Sequence, residues 1–310
     1  MKAVAITAPG SYEVLDVIER EVPEPGPNEV RIAVAAAAVN PTDSVLRTNG
    51  NPAAPAPWTP GMDAAGVVDA VGAGVERLQV GESVMAVVNA RRPEGGAQAE
   101  QLVVPEDSAV PIPEGASLEQ ASTLPMNGLT ARVGLETLDL SAGETVAVGG
   151  GAGLLARYAI ALAKTRFGLR VIADAKPEDE ELVRSYGADV VVPRSEDFAA
   201  AIREVAPDGA DGVFDTAQLN AAALGAVRDG GAMVTVRGWV PEADVRGIEV
   251  TGISVAVALE RSDWLEDLSR LAATDQLQLR VDSTYPPEQV AAAQEKMDAG
   301  GLRGRCVIVF

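Results

Sequence analysis

The stretch VAVGGGAGLLARYAIALAK, from Val146 to Lys164, decides the fold of this chain. An apolar run that is typical of a strand ends in glycines, and a pattern typical of a helix follows at once. Gly151, Gly153 and Ala156 fit G-x-G-x-x-G/A, with Gly151 for the tight turn and Gly153 for close approach of a pyrophosphate to the backbone. The alternative is a structural turn without a ligand. The strand–turn–helix context favours dinucleotide binding.

The two halves of the chain differ in their pattern of predicted strands and helices. From about Ser122 onward, Val, Ile and Ala runs alternate with helical patterns, which predicts an α/β fold with a doubly wound parallel sheet. From Met1 to about Gln120, short strand-like runs between proline and glycine clusters predict a β-rich domain. A last apolar run at the end of the chain is a candidate to join the sheet of that first domain. The helices predicted in the second half are Ala152–Phe167, Pro177–Tyr186, Glu196–Val205 and Leu219–Arg228.

Composition and charge exclude several classes of partner. The 310 residues are enough for two domains, and the formal net charge is −20 with a pI of about 4.4. Such a field repels nucleic-acid phosphates and anionic lipid, so we expect no nucleic acid and no membrane among the partners. No apolar run approaches a membrane span, and the first residues lack the features of a signal peptide. The single cysteine, Cys306, makes no internal disulfide, and we expect a cytoplasmic protein.

The residues after the second predicted strand bear on which dinucleotide binds. Asp174 lies roughly 20 residues after the turn, where a carboxylate binds the ribose diol of NAD and repels the 2′-phosphate of NADP. Lys176 and Arg194 follow, and either cation suits a 2′-phosphate. The alternatives are Asp174 as a cap of the next helix and the two cations as solvated side chains. Spacing alone therefore leaves the choice of dinucleotide open.

Several segments together resemble one known superfamily. They are AAAVNPTDSVLR (Ala36–Arg47), PGMDAAGVVDAVGAGVERLQVGESV (Pro60–Val84), LEQASTLPMNGLTA (Leu118–Ala131), the glycine turn, YGADVVV (Tyr186–Val192) and the terminal GRCVIVF. Through them the whole chain resembles the medium-chain dehydrogenase/reductase superfamily, in particular its zinc-free quinone oxidoreductase branch. The resemblance implies a GroES-like β-rich catalytic domain from residues 1–122 and 261–310 and a Rossmann dinucleotide-binding domain from residues 123–260. It further implies an active site in the cleft, NADPH as the usual reductant and, commonly, a homodimer.

The residues at the zinc-ligand positions of this superfamily argue against zinc. Matched by motif, these positions hold Asn40, Met62 and Met126, and the whole chain has no histidine and one cysteine. An amide and two thioethers are poor Zn²⁺ ligands beside thiolate and imidazole. The cysteine-rich lobe of the structural zinc is also missing. Without a Lewis acid, we expect hydride delivery to an acceptor that is already electrophilic, such as a quinone or an activated C=C bond.

Candidates for catalysis are few because the usual proton carrier, histidine, is absent. Many quinone oxidoreductases have a tyrosine in the pattern N-x-x-D-x-Y, and Val45 stands at that place here. The catalytic candidates by resemblance are Asn40, Asp43 and Asp63. Stabilising the loops of the domain is the favoured role of the two aspartates. We expect solvent to supply the proton, through water held by Asn40.

The resemblance also implies which residues surround the cofactor, and the chain departs from the family there in two places. The usual GGVG reads GLLA in Gly153–Ala156, and Ala217 and Gln218 replace paired glycines, which predicts weak or adapted nucleotide binding. Trp239 is interpreted either as a stacking surface for a planar substrate or as a cover of the domain interface. The loop Leu46–Trp58 is expected to form one lip of the substrate cleft. The cofactor-binding candidates are Asn40, Asn127, Thr130, Gly150, Gly151, Ala152, Gly153, Leu154, Leu155, Asp174, Lys176, Arg194, Thr216, Ala217, Arg237, Gly238 and Trp239.

Taken together, the residues and the resemblance predict a zinc-independent, NADPH-dependent oxidoreductase that transfers hydride to a quinone or quinone-like small molecule. One alternative is an enoyl or 2-alkenal reductase, which needs a proton donor for the substrate carbon. A second alternative, from a different class, is a catalytically silent nucleotide-binding protein. NADH remains open as the reductant.

Overall fold

The structure is a computed structural model that describes all 310 residues. The chain forms two compact units. The first contains Met1–Met126, Ala258–Asp275 and Leu279–Phe310, and the second contains Asn127–Val257 and Gln276–Gln278. No helix combines the length and the apolar character that crossing a membrane requires.

Strands and helices alternate along the chain as follows. The strands are β1 (Lys2–Ile6), β2 (Leu15–Glu19), β3 (Glu29–Ala38), β4 (Asp63–Val71), β5 (Ser83–Val87), β6 (Gln101–Pro105), β7 (Ala109–Pro111), β8 (Thr145–Gly149), β9 (Arg170–Ala175), β10 (Val190–Pro193), β11 (Ala210–Asp215), β12 (Val227–Val236), β13 (Glu249–Ile253), β14 (Val281–Tyr285) and β15 (Arg305–Val309). The α-helices are α1 (Pro41–Asn49), α2 (Leu118–Ala121), α3 (Pro125–Leu138), α4 (Leu154–Thr165), α5 (Glu180–Ser185), α6 (Phe198–Val205), α7 (Ser262–Ala273) and α8 (Val290–Asp298). Short 3₁₀ helices cover Tyr12–Val14, Glu106–Ser108, Pro177–Asp179, Asn220–Ala226, Val255–Ala258 and Pro287–Gln289.

The first unit holds the β-rich part of the fold. β14, β15, β3, β4, β5 and β7 form one sheet in that order, β6 pairs with β3, and β1 and β2 form a small separate sheet. Alternation along β3 buries Val30, Ile32 and Val34 in the core of this unit, as a strand with one covered face requires. β15 pairs antiparallel with β3, so the end of the chain joins this sheet.

Helix α1 follows β3 directly and carries two candidate site residues. Asn40 is its N-cap, and Pro41 stands at the first helical position, where a missing N–H costs nothing. The backbone N–H of Asn40 donates to Asp43 Oδ2 at 2.9 Å, so the helix start is closed by a side chain from its own first turn. Both residues are thereby fixed at the end of a core strand.

The second unit contains a six-stranded parallel sheet in the order β10-β9-β8-β11-β12-β13. Counted from its own first strand, this order is 3-2-1-4-5-6, the doubly wound Rossmann arrangement. β8 and β9 are buried along almost their whole length, because helices cover both faces of such a sheet. These two sheets confirm the predicted fold class, a Rossmann sheet with a GroES-like β-rich domain.

The helix predicted over Leu219–Arg228 is wrong. The structure has a 3₁₀ helix over Asn220–Ala226, and β12 begins at Val227. The carboxylate of Asp215 accepts the backbone N–H groups of Ala217, Leu219 and Asn220, which ties the segment into a tight turn instead of an α-helical start.

Candidate functional site

The glycine turn after β8 has the geometry of a dinucleotide-binding turn. Gly150 has a φ of +82°, and a Cβ on Gly151 would lie 2.6 Å from the carbonyl oxygen of Asp174. The left-handed residue is therefore Gly150, whereas Gly151 is needed for the close approach to the end of β9; the sequence assigned the tight turn to Gly151. Gly153 is the N-cap of α4, and Ala156, in the first turn of α4, is fully buried. The N-terminus of this 12-residue helix suits a pyrophosphate.

The carboxylate of Asp174 makes contacts that its position in the sequence did not reveal. Its Oδ1 accepts the backbone N–H groups of Gly150 and Gly151, at 2.5 and 3.3 Å. Its Oδ2 lies 3.0 Å from Arg194 Nε. Because Asp174 is buried and both oxygens are engaged, its carboxylate braces the turn and orients Arg194 instead of standing open to a ribose.

Two cations lie at the same end of the sheet. Arg194 follows β10, donates its backbone N–H to Ala175 O at 2.7 Å and keeps 40% of its side chain exposed. Lys176 follows β9 and is exposed. Both therefore lie where the carboxyl ends of β9 and β10 meet the glycine turn, and a guanidinium or an ammonium there suits a 2′-phosphate better than a ribose diol.

The loop after β11 closes on the same turn. Thr216 Oγ1 donates to Gly149 O at 2.6 Å, and a Cβ on Gly150 would lie 3.0 Å from Ala217 Cβ. β8 and β11 are neighbours on either side of the point where the strand order reverses, which is the position at which such sheets bind ligands. The structure thus brings Thr216 and Ala217 together with the glycine turn, as the resemblance implied.

The remaining cofactor-binding candidates lie in two other segments, the loop after β12 and helix α3. Arg237 and Gly238 take left-handed backbone conformations after β12, with φ of +64° and +76°. Trp239 packs against the hydrophobic core of the second unit, and its carbonyl accepts a hydrogen bond from Thr235 Oγ1. Asn127 and Thr130 are buried residues of α3.

In the first unit, Asp43 is the acceptor of a buried hydrogen-bond cluster. Besides the N–H of Asn40, it accepts the N–H of Gly61 at 3.0 Å and Gln98 Nε2 at 3.1 Å. Asp43 has no exposed surface. Burial raises its pKa to about 6, and these hydrogen bonds and the charge of Arg305 oppose the rise.

Asp63, the first residue of β4, joins two of the three positions matched to zinc ligands. Its Oδ2 accepts Asn40 Nδ2 at 2.6 Å, and its Oδ1 accepts the backbone N–H of Met126 at 2.5 Å. Burial raises the pKa of Asp63 to about 7, and the nearby charge of Asp43 adds to the rise. Asn40 and Met126 are thus held to each other through a carboxylate. We name Asn40, Asp43, Asp63 and Gln98 the buried carboxylate cluster.

Sequence reasoning missed two members of this neighbourhood, Gln98 and Arg305. Gln98 lies in the stretch GGAQAE, and Arg305 precedes the only cysteine; neither is part of a chemical motif. Gln98 reaches Asp43 from 55 residues away. No local signal could have found it, because the backbone pairing of residues 96–98 with residues 59–61 creates the contact.

Comparison with known proteins gives concordant similarities. The sequence profile of the alcohol dehydrogenase GroES-like domain matches residues 26–114, and that of a zinc-binding dehydrogenase matches residues 186–308, a range without any of the three zinc-ligand positions. The chain is 33% identical to the NADPH-dependent alkenal/one oxidoreductase, chloroplastic, of Arabidopsis thaliana, over 96% of this chain and 77% of that protein. It is 28% identical to the quinone oxidoreductase of Sus scrofa, over 100% and 98%. A solved structure of an NAD-dependent alcohol dehydrogenase matches with a TM-score of 0.87 at 30% identity, covering both chains completely.

Proposed function

As this chain belongs to the medium-chain dehydrogenase/reductase superfamily, in its quinone oxidoreductase branch, we propose that it is a reductase that transfers hydride from NADPH to a quinone or quinone-like acceptor without zinc. The observation that carries the proposal is the bridge from Asp63 to Asn40 Nδ2 and to the N–H of Met126. Where zinc members have metal ligands, this chain has an amide and thioethers, and two of those residues are tied to a carboxylate. Such a site suits an acceptor that needs no Lewis acid.

NADPH is the reductant that the residues of the glycine turn fit best. The bound dinucleotide supplies the hydride. The glycine turn and the first turn of α4 hold its pyrophosphate, and Arg194 and Lys176 hold its 2′-phosphate. Asp174 contributes by orienting Arg194, since both carboxylate oxygens are already engaged. The Arabidopsis relative is named as NADPH-dependent, which supports NADPH. The similar alcohol dehydrogenase structure is named as NAD-dependent, so NADH is tested beside NADPH.

Asn40 is the residue that we assign to the acceptor side of the reaction. Its backbone is fixed by Asp43 and its amide by Asp63, so its orientation is set before any substrate binds. Asp43 and Asp63 are fully buried and accept hydrogen bonds on both oxygens, which supports a positioning role rather than proton transfer. Solvent then protonates the hydroquinone oxygen.

A second candidate is the reduction of an alkenal or enone. It is favoured by the similarity to the Arabidopsis alkenal/one oxidoreductase and by the pKa of Asp63, which burial raises to about 7. A group with a pKa near neutral is suited to deliver a proton to a carbanion. In that case Asp63 would have to reach the substrate carbon through Asn40 or through water.

The experiment is nicotinamide oxidation with NADPH and with NADH, against a panel of quinones and α,β-unsaturated carbonyls. Quinone turnover with preference for NADPH supports the proposal. Turnover of enones alone, abolished in Asp63→Asn, favours the second candidate. NADPH binding in the absence of any turnover would instead favour a silent nucleotide-binding protein. A homodimer and a cytoplasmic location stay predictions, which sedimentation and cell fractionation can check.

A further inference from the structure

Three arginines of the first unit have no carboxylate partner within 4 Å, and two of them contact the same residue, Gly95. Arg20, Arg91 and Arg92 form no ion pair within 4 Å, in a chain whose 45 acidic residues outnumber its 25 basic ones. We name these three residues the arginine patch. Burial lowers the pKa of the Arg92 guanidinium, and the charges of exposed Glu94, two residues further along the chain, and of Glu29 oppose that shift at longer range.

Neutral acceptors hold all three side chains in place. Arg20 Nη1 donates to Thr59 Oγ1 at 3.0 Å and to Glu94 O at 3.3 Å. Arg92 Nε donates to Gly95 O at 2.8 Å, and Arg91 Nη1 donates to Gly50 O at 3.3 Å. Each guanidinium therefore keeps further N–H donors beyond these contacts. Fixed guanidinium groups of this kind are receptors for carboxylate and phosphate oxygens.

Gly95 brings two of the guanidinium groups together. Its φ is +86°, and a Cβ at this position would lie 3.3 Å from Arg20 Nη1 and 2.9 Å from Thr59 Cβ. Arg92 binds the carbonyl oxygen of the same residue. A side chain here would be strained by the positive φ and would crowd Thr59, the acceptor of Arg20, so glycine suits this position.

The patch is joined to the buried carboxylate cluster by a short rigid ladder. Gly96 N–H donates to Thr59 O at 2.8 Å, and Ala97 N–H donates to Gly61 O at 2.9 Å. Gly61 N–H in turn donates to Asp43 Oδ1. Thr59, which accepts a hydrogen bond from Arg20, and Gly61, which donates one to Asp43, therefore belong to the same paired segment.

The patch is also tied to the loop Leu46–Trp58. Asn51 Nδ2 donates to Arg91 O at 2.8 Å, and Arg91 Nη1 donates to Gly50 O at 3.3 Å. A ligand group bound by Arg91 would thus contact the loop that the sequence predicts to be one lip of the substrate cleft.

From this geometry we propose that the acceptor carries an anionic group, a carboxylate or a phosphate, and that the arginine patch binds it. The inference rests on the proposed function and names the substrate class of the same site. A net charge of −20 repels anions at long range, so a chain that uses an anionic acceptor needs local unpaired cations such as these.

The test compares matched acceptors with and without the anionic group: a trans-4-oxo-2-alkenoate against its methyl ester, and a naphthoquinone sulfonate against the neutral naphthoquinone. In the wild type we expect kcat/KM to favour the anionic member of each pair by about 10-fold or more, mainly through KM. Arg91→Gln and Arg20→Gln reduce this preference by about 10-fold, because they lower kcat/KM for the anionic member far more than for the neutral member. Arg92→Lys keeps the positive charge and therefore retains part of the preference for the anionic member.

Arg170→Gln is the control, because Arg170 is a guanidinium of the second unit without an ion pair and its loss changes the net charge equally. Equal use of both members of each pair, unaffected by the variants, overturns the inference and leaves the proposed function standing. If no acceptor is reduced, the proposed function fails, and calorimetric binding of the free alkenoate decides the inference: binding that Arg91→Gln abolishes supports it, and no binding overturns it. Competition by inorganic phosphate against benzoate, at constant ionic strength, distinguishes a phosphate from a carboxylate ligand.

Discussion

Replacing Asp63 by asparagine should change how the stability of this protein depends on pH. Burial raises the pKa of Asp63 from 3.8 to about 7, so the folded chain holds a proton that the unfolded chain has already lost. The free energy of unfolding that this proton contributes is fully present below pH 4. It is lost as the pH rises from about 4 to about 7.

The expected size follows from that shift. About three pK units at about 1.4 kcal/mol each amount to about 4 kcal/mol for Asp63 across this pH window. Asp43, with a pKa raised to about 6, contributes about 3 kcal/mol with the same sign. A change of about 4 kcal/mol is a large fraction of the stability of an ordinary domain.

Urea denaturation at pH 5 and pH 8 measures the effect on the wild type, on Asp63→Asn and on the control Asp208→Asn. Asp208 is exposed, so its neutralisation removes one charge without touching a buried group. The amide in Asp63→Asn alters the contacts to Asn40 and Met126 by an amount that does not depend on pH. Between pH 5 and pH 8 the pH crosses about two of these three pK units, so we expect Asp63→Asn to gain stability relative to the wild type by about 3 kcal/mol, and Asp208→Asn to gain almost none. An unchanged gap between Asp63→Asn and the wild type would refute the reasoning, since Asp63 would then be ionised at both pH values.

Three further substitutions test other parts of the structure. Arg157 is fully buried with no hydrogen bond to any guanidinium nitrogen, and Arg157→Met should raise the free energy of unfolding by about 1–4 kcal/mol in thermal denaturation; a loss would mean that its contacts with the rings of Tyr158 and Tyr186 outweigh burial. Arg194→Gln should raise the KM for NADPH by about 10- to 100-fold and leave the KM for NADH nearly unchanged, because only NADPH offers a phosphate to this side chain. Equal effects on both would remove Arg194 from the 2′-phosphate. Gly151→Ala should weaken dinucleotide binding measured by fluorescence, since its Cβ would lie 2.6 Å from a carbonyl oxygen; wild-type affinity would show that the turn can yield.

The elements of the fold were largely predictable because short-range patterns encode them. Val146–Lys164 indicates a strand, a glycine turn and a helix, and β8 and α4 follow within two residues of that expectation at the helix ends. The exception, the segment after Asp215, depends on one buried carboxylate that takes three backbone N–H groups. Helical propensity carries no information about such a competing acceptor.

The sequence by itself determined which chemistry is available: a dinucleotide turn, no histidine, and an amide and thioethers at the zinc-ligand positions. Tertiary structure alone decided how those groups are used. Asp63 reaches Asn40 across 23 residues and Met126 across 63, and Asp174 turns back to the glycines 23 and 24 residues before it. The physical reason is that a buried polar atom must find a partner, and the partner is whichever group the packing of distant segments brings within reach. Residue type and spacing name the groups, but only the folded chain pairs them.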